Sequence, residues 1–314
     1  MKYEQWRKNA IRFVAMTGYS FEQFDELLPY FQQAHVAYFN KFQINGKRRT
    51  GTRKFVLYAN SPLPTVAERL AFILSFLKLN PLQEHHADLF GMEQKQCYEF
   101  LHSFKIVLDD ALNLACVLPA QTDKELQKVL TATQWPAAES QMLLLHDATE
   151  REVPRPLEAE EQQEKYSGKK KRHTVKNALI TNALCYILFA SLTFSGSVHD
   201  KKMADQSYSI PQGFSLWQDC GYQGYRPAGV NIVQPLKKPK GKELSGEQKE
   251  GNRRISSFRV RIEHAIGSVK RCRIVKDECR LRKNKFVETV FTTCAGLHNL
   301  RLSLKLFAYK NYST

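Results

Sequence analysis

The chain has 314 residues, 43% hydrophobic and 25% charged, with a net charge of +16. That length allows a buried core and about two domains, and the composition excludes a disordered or fibrous protein. Leu184 to Phe194, the longest apolar stretch of note, falls short of the roughly 20 residues a spanning helix needs.

The first residues, Met1 to Trp6, lack the apolar stretch of a signal peptide, so a cytoplasmic protein with no membrane partner is expected. Seven cysteines are scattered with no C-x-x-C pair, which fits reduced thiols rather than a disulfide frame or a zinc site. Residues 1–150 hold 16 Lys+Arg and 16 Asp+Glu, whereas residues 151–314 hold 31 and 15. The second half therefore carries the whole excess, and a polyanion is its expected partner. Charge alone does not separate catalysis on nucleic acid from simple binding.

The first half reads as helical. Ser20-Phe-Glu-Gln23 fits a capping box ahead of Phe24, Leu27, Leu28 and Phe31 at helical spacing. Lys41 to Lys54 is a basic, glycine-containing loop that includes Arg48 and Arg49, suited either to a solvated linker or to a phosphate clamp. Thr65 to Lys78 is an apolar helix ended by Asn80-Pro81. Next come a helix to about Phe90, a turn at Gly91 and a second helix from about Glu93, the pattern of a helix-turn-helix over about 81–104. It would present Gln94, Lys95 and Tyr98 to the major groove of double-stranded DNA, although an αα-hairpin within a bundle has the same pattern. Asp123 to Ala132 is one more helix. The expected domains are 1–118, all-α with the helix-turn-helix; 119–138, a linker helix; and 139–314, an α/β catalytic domain.

In the second half the period switches to that of strands. Gln141 to Leu145 is a short buried strand that stops at His146-Asp147. A basic stretch with Lys169, Lys170, Lys171 and Arg172 follows, then strands over 173–181 and 185–194, separated by Asn182-Ala183. Ser197 to Asp200 caps a short helix, Phe214 to Gln218 is a strand ending at Asp219, and 231–234 reads as a fifth. Helices cover about 247–273 and 286–307. Strands interrupted and followed by helices imply a mixed sheet.

Two aspartates at strand ends and Glu263 on a helix beside them would repel one another unless hard cations lie between them. Oxygen ligands suit Mg²⁺ or Mn²⁺, and two such ions serve phosphoryl transfer. Taken singly, each acid also fits a turn cap or a solvated surface position. At 100° per residue, Arg259 lies about 40° and Lys270 about 20° from Glu263, so the three share one helix face at the edge of the apolar stripe. Asp200 reads as the N-cap of its helix, Trp217 as core, and Arg261 as solvated.

The segments HDATEREVPRP (146–156) and YSGKKKRHTVK (166–176) resemble the first catalytic block of DDE transposases, of the bacterial insertion-sequence family five related to Harbinger transposases. DCGYQG (219–224) resembles the second block, PLKKPKGKELS (235–245), with Lys237 and Lys238, the basic stretch after it, and NRRISSFRVRIEHAIGSVKR (252–271) the third. The resemblance covers roughly residues 60–305. It implies a ribonuclease-H-like catalytic domain with the triad Asp147, Asp219 and Glu263 holding two Mg²⁺ or Mn²⁺ ions. It also implies binding of terminal inverted repeats, DNA cleavage and strand transfer, and work as a dimer or larger assembly on the nucleoid. Arg259, Glu263 and Lys270 match the family's tyrosine-arginine-glutamate-lysine signature, but Ser256 stands where the tyrosine belongs.

Overall fold

In the computed structural model, residues 2–51, 55–132, 142–241, 243–281 and 285–311 are described, and they form two compact units. Thr52 to Lys54 of the basic loop, 133–138 of the expected linker and Gln141 lie outside the described residues.

The first unit comprises Met1–Leu118 and Lys270–Thr314. Helices α1 (Lys2–Arg7), α2 (Ala10–Thr17) and α3 (Phe21–Lys41) open it. The Ser20 box forms as expected: the Gln23 amide donates to Ser20 Oγ, and Gln23 Oε1 accepts from the Ser20 amide. Helix α4 (Val66–Leu79) has the same device in Thr65 and Glu68. From Glu68 to Leu77 every residue of α4 is buried, mostly apolar but with Glu68, Arg69 and Ser75 among them, so this helix is central to the unit. Removing the cap tests how far local chemistry sets this helix. Thr65→Ala is expected to cost about 1 kcal/mol, seen as a lower urea midpoint at an unchanged slope.

Helices α5 (Gln83–Phe90) and α6 (Gln94–Leu114) meet at Gly91, whose φ of 65° is left-handed and favours glycine there. Around Phe72 pack the rings of His86, Phe90, Phe100 and Phe104. The chain returns to this unit with α11 (Arg273–Lys276) and α12 (Phe286–Asn311), labelled after the helices of the second unit. Thr293 donates to Asp109 at 2.6 Å, which joins α12 to α6. The C-terminal helix, read from sequence as part of the segment 139–314, thus packs with the N-terminal helices.

The second unit comprises Pro119–Val269. It holds α7 (Asp123–Thr131), β1 (Leu143–Glu152), α8 (Ala159–Lys165), β2 (Tyr166–Ser167), β3 (Arg172–Asn182), β4 (Ile187–Ala190), β5 (Phe194–Ser195), α9 (Asp200–Ser207), β6 (Ser215–Trp217), β7 (Asn231–Val233) and α10 (Gly246–Val269). The mixed sheet runs β2-β3-β1-β6-β7, with β4 and β5 also paired to β3. Strand β1 is antiparallel to β3 and parallel to β6, so it lies at the middle of the sheet. Leu144, Ile180, Phe189, Met203, Leu216 and Tyr222 share its core.

Three expectations need correction here. The first strand does not stop at His146-Asp147: its ladder with β3 continues to Glu152, because alternate residues stay buried through Val153. Asp147 is therefore mid-strand. The run 185–194 is two short strands, and the turn before them is built by Asn182, whose Oδ1 accepts from the amides of Leu184 and Tyr186. Arg261 is not simply solvated: it donates to the Ala183 carbonyl at 3.2 Å and lies over the Phe258 ring. Trp217 is half-buried against Phe258.

Candidate active site

Strands β1 and β6 run parallel, with Leu143, Leu144 and Leu145 abreast of Ser215, Leu216 and Trp217. Asp147 and Asp219 each follow the last pair of that ladder, Leu145 with Trp217, by two residues. The parallel pairing of β1 with β6 thus brings near each other two carboxylates 72 residues apart in sequence, close enough for the charge of Asp219 to act on Asp147. Asp147 Oδ1 accepts from the Ala148 amide at 2.8 Å, and its side chain is 20% exposed. Asp219 lies two residues past the end of β6 and caps the short 3₁₀ turn Cys220–Tyr222, accepting from the Gly221 amide at 2.8 Å. Gln234 donates to the Asp219 carbonyl and so fixes the backbone there.

Helix α10 packs on β1 and brings in Arg259, which is 8% exposed with Nη2 3.6 Å from Asp147 Oδ2. Its Nε is buried with no hydrogen-bond partner among the described residues. Burial pushes the Asp147 carboxyl up to about 6; Asp219 and Asp200 add to the rise, while the Ala148 amide and Arg259 oppose it. Burial of a charge and neighbouring like charges are the arrangement that marks functional sites.

Glu263 sits one turn along α10 from Arg259, on its exposed side, and Lys270 directly follows the helix. The buried stripe of α10 is Arg259, Ile262, Ala265 and Val269. Arg259 thus faces inward, and Glu263 lies beside that stripe. Among the described residues, no three His, Cys, Asp or Glu side chains are grouped closely enough to hold one metal ion. The donor set at Asp147 and Asp219 is all carboxylate oxygen with one arginine beside it, and such a set fits a hard divalent cation rather than a soft one.

Asp200, read from sequence as an N-cap, is the first residue of α9; His199 holds the cap position and makes no side-chain cap bond. The Asp200 carboxylate turns instead to Lys176, 3.2 Å away. Lys176, on β3, also lies 3.4 Å from Glu150, its cross-strand partner on β1. Sequence reasoning passed over Lys176 and Glu150 because either fits an exposed strand position; only the ladder with β1 shows that both are inward. His146, assigned no role, is fully buried, bonded to the Tyr208 hydroxyl and packed on the Tyr222 ring.

The basic residues occupy separate places. Lys169, Lys170 and Lys171 form the exposed tip of the β2–β3 hairpin, and Arg172 beside them pairs with Glu152 at 2.7 Å. Lys237 and Lys238 follow β7 on the surface, with Lys238 paired to Glu243. In the first unit, Gln94 and Lys95 are exposed at the start of α6, and the Tyr98 ring lies tilted against His102. Arg48 is exposed, while Arg49 donates to the Phe42 carbonyl.

Residues 146–299 match the family model of the DDE superfamily endonucleases. The DDE match opens one residue before Asp147 and takes in Asp219, Arg259 and Glu263. Over 164 residues the chain is 31% identical to a probable transposase for the insertion sequence element IS702 of Microchaete diplosiphon. That alignment covers 52% of this chain and 58% of the relative, so it spans little more than half of either protein. No solved structure matches the chain. No helix among the described residues is long and apolar enough to cross a membrane.

Proposed function

We propose that the chain is a transposase of the insertion-sequence family five kind, related to Harbinger transposases, which binds its element's terminal inverted repeats, cleaves DNA there and joins the freed end to target DNA. The observation that carries this reading is the nearness of Asp147, on β1, to Asp219, just past the parallel strand β6, beside a buried arginine and inside a segment that matches the DDE endonucleases.

The mixed sheet with helices packed on it suits a ribonuclease-H-like catalytic unit. Asp147, Asp219 and Glu263 would hold the metal, taken as two Mg²⁺ or Mn²⁺ ions. Divalent ions at such a site supply charge neutralisation and a low-pKa nucleophile for in-line phosphoryl transfer. Arg259, beside Asp147, would offset the charge that grows on the pentacoordinate phosphorus. Lys270 would act further along the same backbone. The lysines of the hairpin tip and those after β7 would bind phosphates without reading sequence. Gln94, Lys95 and Tyr98 would read base edges if α5 and α6 work as a helix-turn-helix, with Arg48 and Arg49 as a further clamp. Synapsis of two ends needs at least two copies, and work on DNA fits a cytoplasmic, nucleoid-associated protein.

A supercoiled plasmid carrying the element's ends tests this. Wild type is expected to nick it at the ends in Mg²⁺, and Asp219→Ala to leave it intact. Equal nicking by both would exclude the assignment.

A further inference from the structure

We infer that Asp200 is a fourth carboxylate of the site and shares a divalent cation with Asp219, its orientation set by Lys176. The inference rests on the proposed metal-dependent reading and adds to it a residue from a different element.

Lys176 is fixed from three sides: by Glu150 at 3.4 Å, by the Val198 carbonyl at 3.0 Å and by Asp200 Oδ1 at 3.2 Å. Its side chain is only 12% exposed, so Lys176 is a positioning residue and not a group that meets DNA. With Oδ1 of Asp200 engaged, Oδ2 is turned toward Gly221. A methyl group on Gly221 would stand 2.8 Å from Asp200 Oδ2 and 2.9 Å from Asp219 Oδ1. The two carboxylate oxygens therefore flank one small space, which the absence of a side chain on Gly221 leaves open.

Charge and hydrogen bonding both point to a cation there. Asp147, Asp219, Asp200 and Glu150 carry four negative charges, against one each on Arg259 and Lys176. Asp219 makes no ion pair among the described residues, so carboxylate charge is left at the space beside Gly221. Independently, the Tyr222 hydroxyl is fully buried in the field of Asp200, Asp147 and Asp219 and has no hydrogen-bond partner among the described residues. A buried hydroxyl is seldom left unbonded, and a water on an ion held between the carboxylates would donate a hydrogen bond to it.

The test is Mn²⁺ binding to the full chain without DNA, followed through the electron paramagnetic resonance signal of the free ion. Asp200→Asn is expected to weaken Mn²⁺ binding by about tenfold or more, as Asp219→Asn should. Gly221→Ala approaches the same oxygens without touching Lys176, and its backbone tolerates alanine because φ is not positive. It is expected to weaken binding to a similar degree, and it decides the matter if Asp200→Asn does not fold. Loss in Asp219→Asn with unchanged affinity in Asp200→Asn and Gly221→Ala would overturn the inference and leave the proposed function standing. Wild-type protein that binds no Mn²⁺ would overturn both.

Discussion

Replacing Asp147 by asparagine is expected to slow metal-dependent nicking by about a thousandfold or more without loss of the fold. A metal site contributes several kcal/mol of transition-state stabilisation, and each 1.36 kcal/mol is a factor of ten. Asparagine has the shape of aspartate and can still accept from the Ala148 amide, so β1 should stay in place. What it removes is one negative charge from a crowded set. Because burial, Asp219 and Asp200 already hold the Asp147 carboxyl up at about 6, the folded state bears a cost for ionising it at neutral pH. The melting temperature of Asp147→Asn should therefore be unchanged or higher. Loss of activity together with equal or greater stability is the signature of a site strained for function. A variant that loses both would indicate a structural role for Asp147.

Acidification from pH 7 to about 4.5 is expected to unfold much of the protein. His35, His86 and His146 are 1%, 0% and 0% exposed, and burial lowers their pKa to about 3, 4 and 3. In the unfolded chain each titrates near 6.5. For a base with a depressed folded pKa, the unfolded state takes up the proton first, so stability is lost as pH falls from 6.5 toward 3 to 4. Three such groups give a slope of up to about 4 kcal/mol per pH unit. Asp147, raised to about 6, works the other way between about pH 6 and 4, and Asp109 and Asp110, raised by burial, act in the same direction as Asp147. The histidines begin their effect at higher pH, and total stabilities are only about 5–15 kcal/mol. Thermal melts should show a midpoint that drops steadily below pH 6.5; a flat profile down to pH 4 would contradict the burial of these rings.

The helical first half was legible because its signals are local. Ser20 with Gln23, and Gly91 between two apolar patterns, mark helix ends through chemistry that acts within a few residues. Asp219 was legible for the same reason, standing where a strand gives way to a turn. Asp147 was read as a strand end but lies mid-strand: the sequence turns polar after Leu145, and only the pairing with β3 shows that the strand continues. Asp200 and Lys176 were lost to long-range pairing. Each has an ordinary local explanation, and their contact depends on how β3 and α9 come together. On α10 the periodicity located the face shared by Arg259 and Glu263, but not that the arginine would be the buried member.

The central claim is that Asp147, Asp219 and Glu263 form one metal-dependent cleavage site, and Glu263 is its most exposed member. Single-turnover cleavage of a labelled duplex carrying the element's terminal repeat tests it most directly, with wild type and Glu263→Gln compared in Mg²⁺ and in EDTA at saturating DNA. The expected result is cleavage by wild type in Mg²⁺ alone, and none by Glu263→Gln although it binds the duplex equally well. Cleavage that survives EDTA, or a Glu263→Gln protein as fast as wild type, would contradict the claim.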